Sequence, residues 1–185
     1  TNSFAIKCFF PTEDLSYRSI SQALQCYSKE IKNYEYLQEH ANGESLQYFS
    51  ELVDSAEFNF SGNSIRALVF NYYPLTLETA SPLIQASGKE KIFIIQKIAQ
   101  QIFSSLEFFA SIRFIHRDIK PSNILTDSNF NIKITDFGLS EILGQKEQSS
   151  SDFISGTAKY MPPEMHLQIH NIPNRMDSWA TACVL

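Results

Sequence analysis

Two rhythms of apolar and polar positions run along this chain, and each change of rhythm marks an element. "FAIKCFF", residues 4–10, is a compact aromatic and aliphatic run closed by Pro11, which predicts a strand. From about Ser19 to His40, Ile20, Leu24, Tyr27, Ile31 and Tyr34 recur at steps of four and three, one face of an amphipathic helix. Glu30 lies beside that stripe, one turn from both Tyr27 and Tyr34. Ala67 to Tyr72 predicts a second strand, ending at Pro74. A second helix is predicted from about Lys89 to Ser111, with Ile94, Ile98, Ile102, Leu106 and Phe109 along one side. Two short runs, "NILTD" and "NIKITD", are joined by the turn-forming "SNFN" and predict a β-hairpin. The polar composition from Ala41 to Ser64 predicts an extended surface loop, and "QKEQSSSD", Gln145 to Asp152, a mobile one. The order is strand, helix, strand, helix, hairpin. It implies an α+β fold, with a connector near Asn71 to Pro74 between a smaller first part and a larger helical one.

Composition narrows the classes. The chain has 185 residues, 43% hydrophobic and 13% aromatic, enough for a real core. A formal net charge of −5 argues against a nucleic-acid binder and excludes no protein partner. Cys8, Cys26 and Cys183 are scattered without a CxxC spacing, which predicts reduced, buried thiols. No signal peptide is visible at the start. The apolar region Ile92 to Ile115 is broken by Lys97, Glu107 and Arg113, so no membrane segment is expected. The expected location is intracellular: cytoplasmic, with the nucleus also open.

One stretch does not fit a plain core. "FIHRDIKPSNIL", Phe114 to Leu125, crowds ionisable groups between apolar flanks, where unpaired charge is costly. A hairpin between Ile124 and Thr135 brings Asn123 and Asp136 together, and two oxygen-bearing side chains there suit a hard divalent cation such as magnesium. Asp118, five residues earlier, can face the same cleft as a base. Taken singly, Lys7 reads as a solvated strand lysine and Glu30 as the polar edge of a helix.

Four motifs in order, "AIK" (Ala5 to Lys7), "HRDIKPSN" (His116 to Asn123), "DFG" (Asp136 to Gly138) and "GTAKYMPPE" (Gly156 to Glu164), resemble those of a eukaryotic protein kinase. The resemblance implies a two-lobe fold, with residues 1–70 a partial small lobe, 71–75 a hinge and 76–185 a partial large lobe. It implies ATP and Mg²⁺ as cofactors and a protein with a serine or threonine acceptor as substrate. Asp118 matches the base, and Asn123 and Asp136 the metal ligands. Lys7 matches the lysine on the α- and β-phosphates, and Glu30 its partner. Lys120 resembles the serine/threonine-directed branch, in which Thr157 bonds into the catalytic loop. For adenine, Phe70 resembles the gatekeeper, Asn71, Tyr72 and Tyr73 the hinge, and Ala5 and Leu125 the two faces of the sandwich. His116 is expected to pack on Phe137 in an apolar column continued by Tyr34, and Asp177 to buttress the catalytic loop. Arg117 resembles the arginine that pairs with an activation-loop phosphate, for which Ser149, Ser150, Ser151 and Ser155 are candidates.

The pattern also departs from the family. The six glycines contain no G-x-G-x-x-G and "PPE" replaces "APE"; the later helices of the family are expected to be missing from this piece. An internal piece of a kinase domain, aggregation-prone and inactive in isolation, is the expectation. The alternatives are a pseudokinase that binds without turnover and a small-molecule kinase of the aminoglycoside-phosphotransferase type, which lacks "KPSN".

Overall fold

The computed structural model describes residues 3–11, 17–60, 62–144, 156–166 and 173–185. Strand β1 (Phe4–Phe9) leads to helix α1 (Tyr17–His40), then to β2 (Leu52–Phe60) and β3 (Asn63–Asn71). Two-residue β4 (Leu75–Thr76) runs into α2 (Leu77–Ala86), followed by the long α3 (Lys91–Ser111). Next come β5 (Phe114–Ile115), the hairpin β6 (Ile124–Thr126) and β7 (Ile132–Ile134), β8 (Glu141–Ile142), and helices α4 (Pro163–His166) and α5 (Pro173–Val184). The architecture is α+β: a three-stranded antiparallel sheet with one helix, then a mainly helical part.

In the first sheet β3 lies between β1 and β2, and its Ile65, Ala67, Leu68 and Phe70 are buried. Strand alternation turns Ala5, Lys7 and Phe9 to one face of β1 and leaves Phe4 and Ile6 exposed on the other. Register sets Ala5 opposite Phe70 and Lys7 opposite Leu68. Helix α1 packs against both strands.

The two predicted helices and the hairpin are present, with Ile124 opposite Ile134. The predicted stripe of α1 is correct only from Tyr27 onward. Ile20 and Leu24 are exposed, and the buried face is Tyr27, Glu30, Asn33, Tyr34 and Leu37. Periodicity reports which face is apolar, not how far the covering surface reaches. The segment Ala41 to Ser64 is not an extended loop: it holds a 3₁₀ turn at Ser45–Gln47 and all of β2. Because β2 is an edge strand exposed on both faces, it lacks the alternation that betrays a half-buried strand. The thiols are free, but Cys26 and Cys183 are exposed and Cys8 half-buried, against the expectation of burial. Cys26 simply falls one position off the inward face at Tyr27. The predicted loop from Gln145 to Asp152 lies outside the described residues.

Helix α2 has no counterpart among the predicted elements. It is short, carries Pro82 inside, and buries only Leu77, Ala80 and Ile84. Its start is nevertheless written locally. The Thr76 hydroxyl accepts from the Thr79 N–H at 3.2 Å, and the Thr79 hydroxyl accepts from the Thr76 N–H at 2.9 Å, a reciprocal capping box.

One continuous core runs from Tyr27 and Phe70 under the sheet to Phe109, Ile134 and Ala180 in the helical part. Phe137 sits at its middle, its ring 4.9 Å from Tyr34, 5.2 Å from His116, 5.6 Å from Phe114 and 5.9 Å from Phe109. The expected column through His116, Phe137 and Tyr34 is therefore present. Such edge-to-face pairs add about 1 kcal/mol each to plain burial. Among the described residues no helix is long and apolar enough to cross a membrane. In urea denaturation Thr76→Ala should lower the unfolding free energy by about 1 kcal/mol and Thr76→Ser by much less. Equal stabilities for the two would show that the cap is idle.

Candidate active site

Three segments far apart in sequence meet at Lys7. Its ammonium donates to both carboxylate oxygens of Glu30, at 2.8 and 2.7 Å, and to Asp136 Oδ1 at 2.8 Å. Glu30 is only 2% exposed, while the side chains of Lys7 and Asp136 are 39% and 41% exposed. The group thus has a dry end on α1 and a solvent-exposed end at Asp136. Burial pushes the Glu30 carboxyl above its ordinary range, and the charge of Lys7 offsets part of that rise. Burial would lower the Lys7 ammonium, but the two carboxylates outweigh it and hold the group raised. Burial would likewise raise Asp136, yet the charge and hydrogen bond of Lys7 leave it below the usual carboxylate range. Gly138 closes over this group. A Cβ built there would stand 3.2 Å from Glu30 Oε2, so a side chain at this position would press on the carboxylate that Lys7 holds.

A second cluster forms around Asp118. Its Oδ2 accepts from Lys120 at 2.7 Å and from the Asn123 amide at 3.1 Å. Its Oδ1 accepts from the Thr157 N–H at 2.9 Å and hydroxyl at 2.7 Å, and Lys120 also donates to the Thr157 oxygen at 3.0 Å. The Asn123 amide nitrogen donates again to the Asp118 carbonyl at 3.0 Å. Both its partners are acceptors, so the amide orientation is forced and Oδ1 is the atom left for a cation. The hairpin joins the two clusters: the Thr135 N–H donates to the Asn123 carbonyl at 3.0 Å, one residue before Asp136. The hard oxygens of Asn123 and Asp136, at the open end of one hairpin, fit a magnesium ion that completes its shell with water and phosphate.

Four described non-glycine residues have a left-handed backbone, Arg113, Arg117, Phe130 and Asp136, and two of them lie at the polar clusters. Arg117 and Asp136 adopt left-handed conformations, φ 68° and 69°, each costing on the order of 1–3 kcal/mol for a residue with a side chain. Each is held by its surroundings. The N–H groups of His116 and Arg117 donate to the two oxygens of Asp177 at 2.8 and 2.9 Å. Burial pushes the Asp177 carboxyl up, against the pull of His116 and those backbone donors. The His116 ring accepts from the Asp118 N–H through Nδ1 at 3.2 Å, which assigns its proton to Nε2, donating to the Thr135 carbonyl at 3.0 Å. Gly156 sits at φ 125° with a would-be Cβ only 2.8 Å from the Arg117 carbonyl, so the motif requires glycine there.

A model of the protein kinase domain matches residues 3–185. The chain belongs to the protein kinase domain family. It is 39% identical over 123 residues to the serine/threonine-protein kinase ppk21 of Schizosaccharomyces pombe, covering 62% of this chain and 22% of that protein. Cyclin-dependent kinase 1 of Encephalitozoon cuniculi is 32% identical over 74% of this chain and 46% of its own length. The mitogen-activated protein kinase KSS1 of Saccharomyces cerevisiae is 35% identical over 49% of this chain and 26% of its own. The kinase domain sequence in hand thus spans less than half the length of these curated relatives.

Within this kinase domain, Lys7, Glu30 and Asp136 meet in one group, and Asp118, Lys120 and Asn123 in another. The positions expected to face a nucleotide are spread more widely. Phe70 is buried with its ring 5.0 Å from Tyr34, and Ala5 is paired beside it. Asn71 ends β3, Tyr72 donates its N–H to the Ser3 carbonyl at 3.1 Å, and Tyr73 is half-buried. Leu125 lies on β6 between Thr76 and Lys133. Arg117 is ion-paired with Glu141 at 3.1 Å, while Ser149, Ser150, Ser151 and Ser155 lie outside the described residues. Sequence reasoning missed Asn33, Ser50 and Thr135, which surround Asp136 and Phe137. Asn33 alone left a signal, as an amide one turn from Glu30 on the buried face.

The lowered Asp136 fixes a sign. A depressed folded-state carboxylate contributes stability that is complete above its unfolded value and is lost as pH falls through the folded one. The acid limb of a melting-temperature profile between about pH 5 and 2 should therefore flatten in Lys7→Met relative to wild type. Superimposable limbs would show that the Lys7–Asp136 contact carries no linkage.

Proposed function

We propose that this chain carries the catalytic core of a serine/threonine protein kinase, which transfers the γ-phosphate of ATP to a protein hydroxyl. The observation that supports it best is the Lys7 ammonium engaged at once by Glu30 and Asp136. A strand cation locked to a buried helix carboxylate is pre-aimed at phosphate oxygens, with no reorganisation left for the reaction step. On this reading residues 1–70 form the small lobe, 71–75 the hinge and 76–185 the large lobe. The adenine ring would lie between Ala5 and Leu125 and bond to backbone groups of Asn71 to Tyr73, with Phe70 closing the space behind. Asn123 and Asp136 would hold Mg²⁺, which would neutralise charge on the phosphates.

The residues of the second cluster divide the remaining work. Asp118 orients the acceptor hydroxyl and takes up its proton. Lys120, bridging Asp118 and Thr157, sets a positive charge where the transferred group passes. Thr157 donates twice to one oxygen of Asp118 while Lys120 and Asn123 donate to the other, which together fix the carboxylate plane. The lysine in this position is the feature that favours serine or threonine over tyrosine. Intact placement of every one of these side chains weighs against a module that binds without turnover.

In the full-length protein, Asp118→Asn should lower kcat by roughly 10³-fold and leave ATP affinity within a few-fold of wild type. Radiolabelled ATP and a mixed peptide library supply the assay. Phosphoserine and phosphothreonine should appear without phosphotyrosine. An Asp118→Asn protein with full turnover would remove the assignment of the base.

A further inference from the structure

The side chain of Tyr34 does more than continue an apolar column. Its hydroxyl lies 3.1 Å from Ser50 Oγ and 3.2 Å from Thr135 Oγ1, and Ser50 donates to Thr135 at 2.9 Å. Three hydroxyls thus close a triangle in which each donates once and accepts once: Ser50 to Thr135, Thr135 to Tyr34, Tyr34 to Ser50. The Tyr34 oxygen also accepts the Asp136 N–H at 3.4 Å, at the residue with the strained left-handed backbone. One residue earlier on α1, the buried Asn33 amide donates to the Phe137 carbonyl at 2.7 Å and the Ser140 carbonyl at 3.4 Å.

The other corners of the triangle are rigid. The Ser50 N–H donates to the Ile134 carbonyl at 2.9 Å, and the Ile134 N–H donates to the Tyr48 carbonyl at 3.0 Å, a parallel bridge onto β7. Lys133 ties the same segment down through the Leu46 and Phe49 carbonyls at 2.6 and 3.1 Å. Ser50 and Thr135 therefore belong to the frame of the hairpin, and Tyr34 belongs to the helix that carries Glu30. Burial holds the Tyr34 phenol at about 12, so it remains a donor at any working pH.

We infer that Tyr34 is a positioning residue whose hydroxyl, through Ser50 and Thr135, couples the setting of α1 to the pose of the Asp136 carboxylate. This rests on the kinase reading. A small rotation of α1 would break the triangle and the Glu30–Lys7 pair together, so the arrangement acts as an all-or-none clasp on the metal-facing aspartate. Hydrogen-bonded residues of one network are expected to be non-additive.

The test compares wild type, Tyr34→Phe, Thr135→Val and the double variant in the full-length protein. It reads kcat, KM for ATP, and ADP affinity by calorimetry with and without Mg²⁺. Tyr34→Phe keeps the ring against Phe70 and Phe137. It should lower kcat about tenfold and the magnesium-dependent gain in ADP affinity by a similar factor. Magnesium-free ADP affinity should stay within about twofold, because Tyr34 is placed to act on Asp136 and not on the adenine site. Thr135→Val should match it, Thr135→Ser should restore both quantities, and the double variant should be no worse than the poorer single. An unchanged kcat and magnesium gain in Tyr34→Phe, or single losses that multiply in the double variant, overturns the coupling while the kinase reading stands. A wild-type protein that gains no ADP affinity from Mg²⁺ overturns both.

Discussion

A carboxylate withdrawn from water needs a cation or a proton, and in this chain that requirement falls on Glu30. Lys7 meets it with two short hydrogen bonds from a neighbouring strand. Their mutual need fixes α1 against the sheet more specifically than the apolar face could, because hydrophobic contact tolerates sliding and a bidentate ion pair does not. Lys7 has charge to spare for a second carboxylate, and it is Asp136, from the far side of the core, that takes it. Remove any one of the three and the others lose either their counter-charge or their aim. The sheet, the helix and the hairpin are thereby referred to a single point in the cleft.

Around that point the molecule spends stability on geometry. Of the four described non-glycine residues with left-handed backbones, two, Arg117 and Asp136, are next to or within the polar clusters. Asp177, deep in the helical part, secures the turn before Asp118 by accepting two consecutive N–H groups. The aromatic column through Phe137 carries the same function by packing, with rings from α1, α3, β5 and the His116 loop converging on one side chain. Polar and apolar devices thus restrain the same few residues. That redundancy is what a site needs when a misplacement of about 1 Å is costly.

The reach of local pattern differs from element to element. β1, α1, α3 and the hairpin were readable because each buries one face, and burial writes its period into the sequence. β2 was not, since an edge strand exposed on both sides has no face to advertise. α2 was hidden by Pro82 and its brevity, although the Thr76 and Thr79 pair marked its start. Among the site residues, Asp118, Asn123 and Asp136 stood out because they cluster about one hairpin. Lys7 and Glu30 became conspicuous only through likeness to a motif set, for singly each looks like an ordinary surface charge. Ser50 and Thr135 gave no sign at all, being small hydroxyl residues of the commonest kind.

By itself the sequence determined the periodic elements, the hairpin that couples Asn123 to Asp136, and the family to which the motif order points. Those are properties of neighbours in the chain, where spacing and side-chain type suffice. Tertiary structure alone decided which charge meets which, since the bonds of Lys7 span 23 and 129 residues. It also decided that the tyrosine on α1 places its hydroxyl beside Thr135 and not merely its ring against Phe137. Contacts of that kind depend on the angle at which packed elements cross, and no local rhythm of apolar and polar residues encodes an angle.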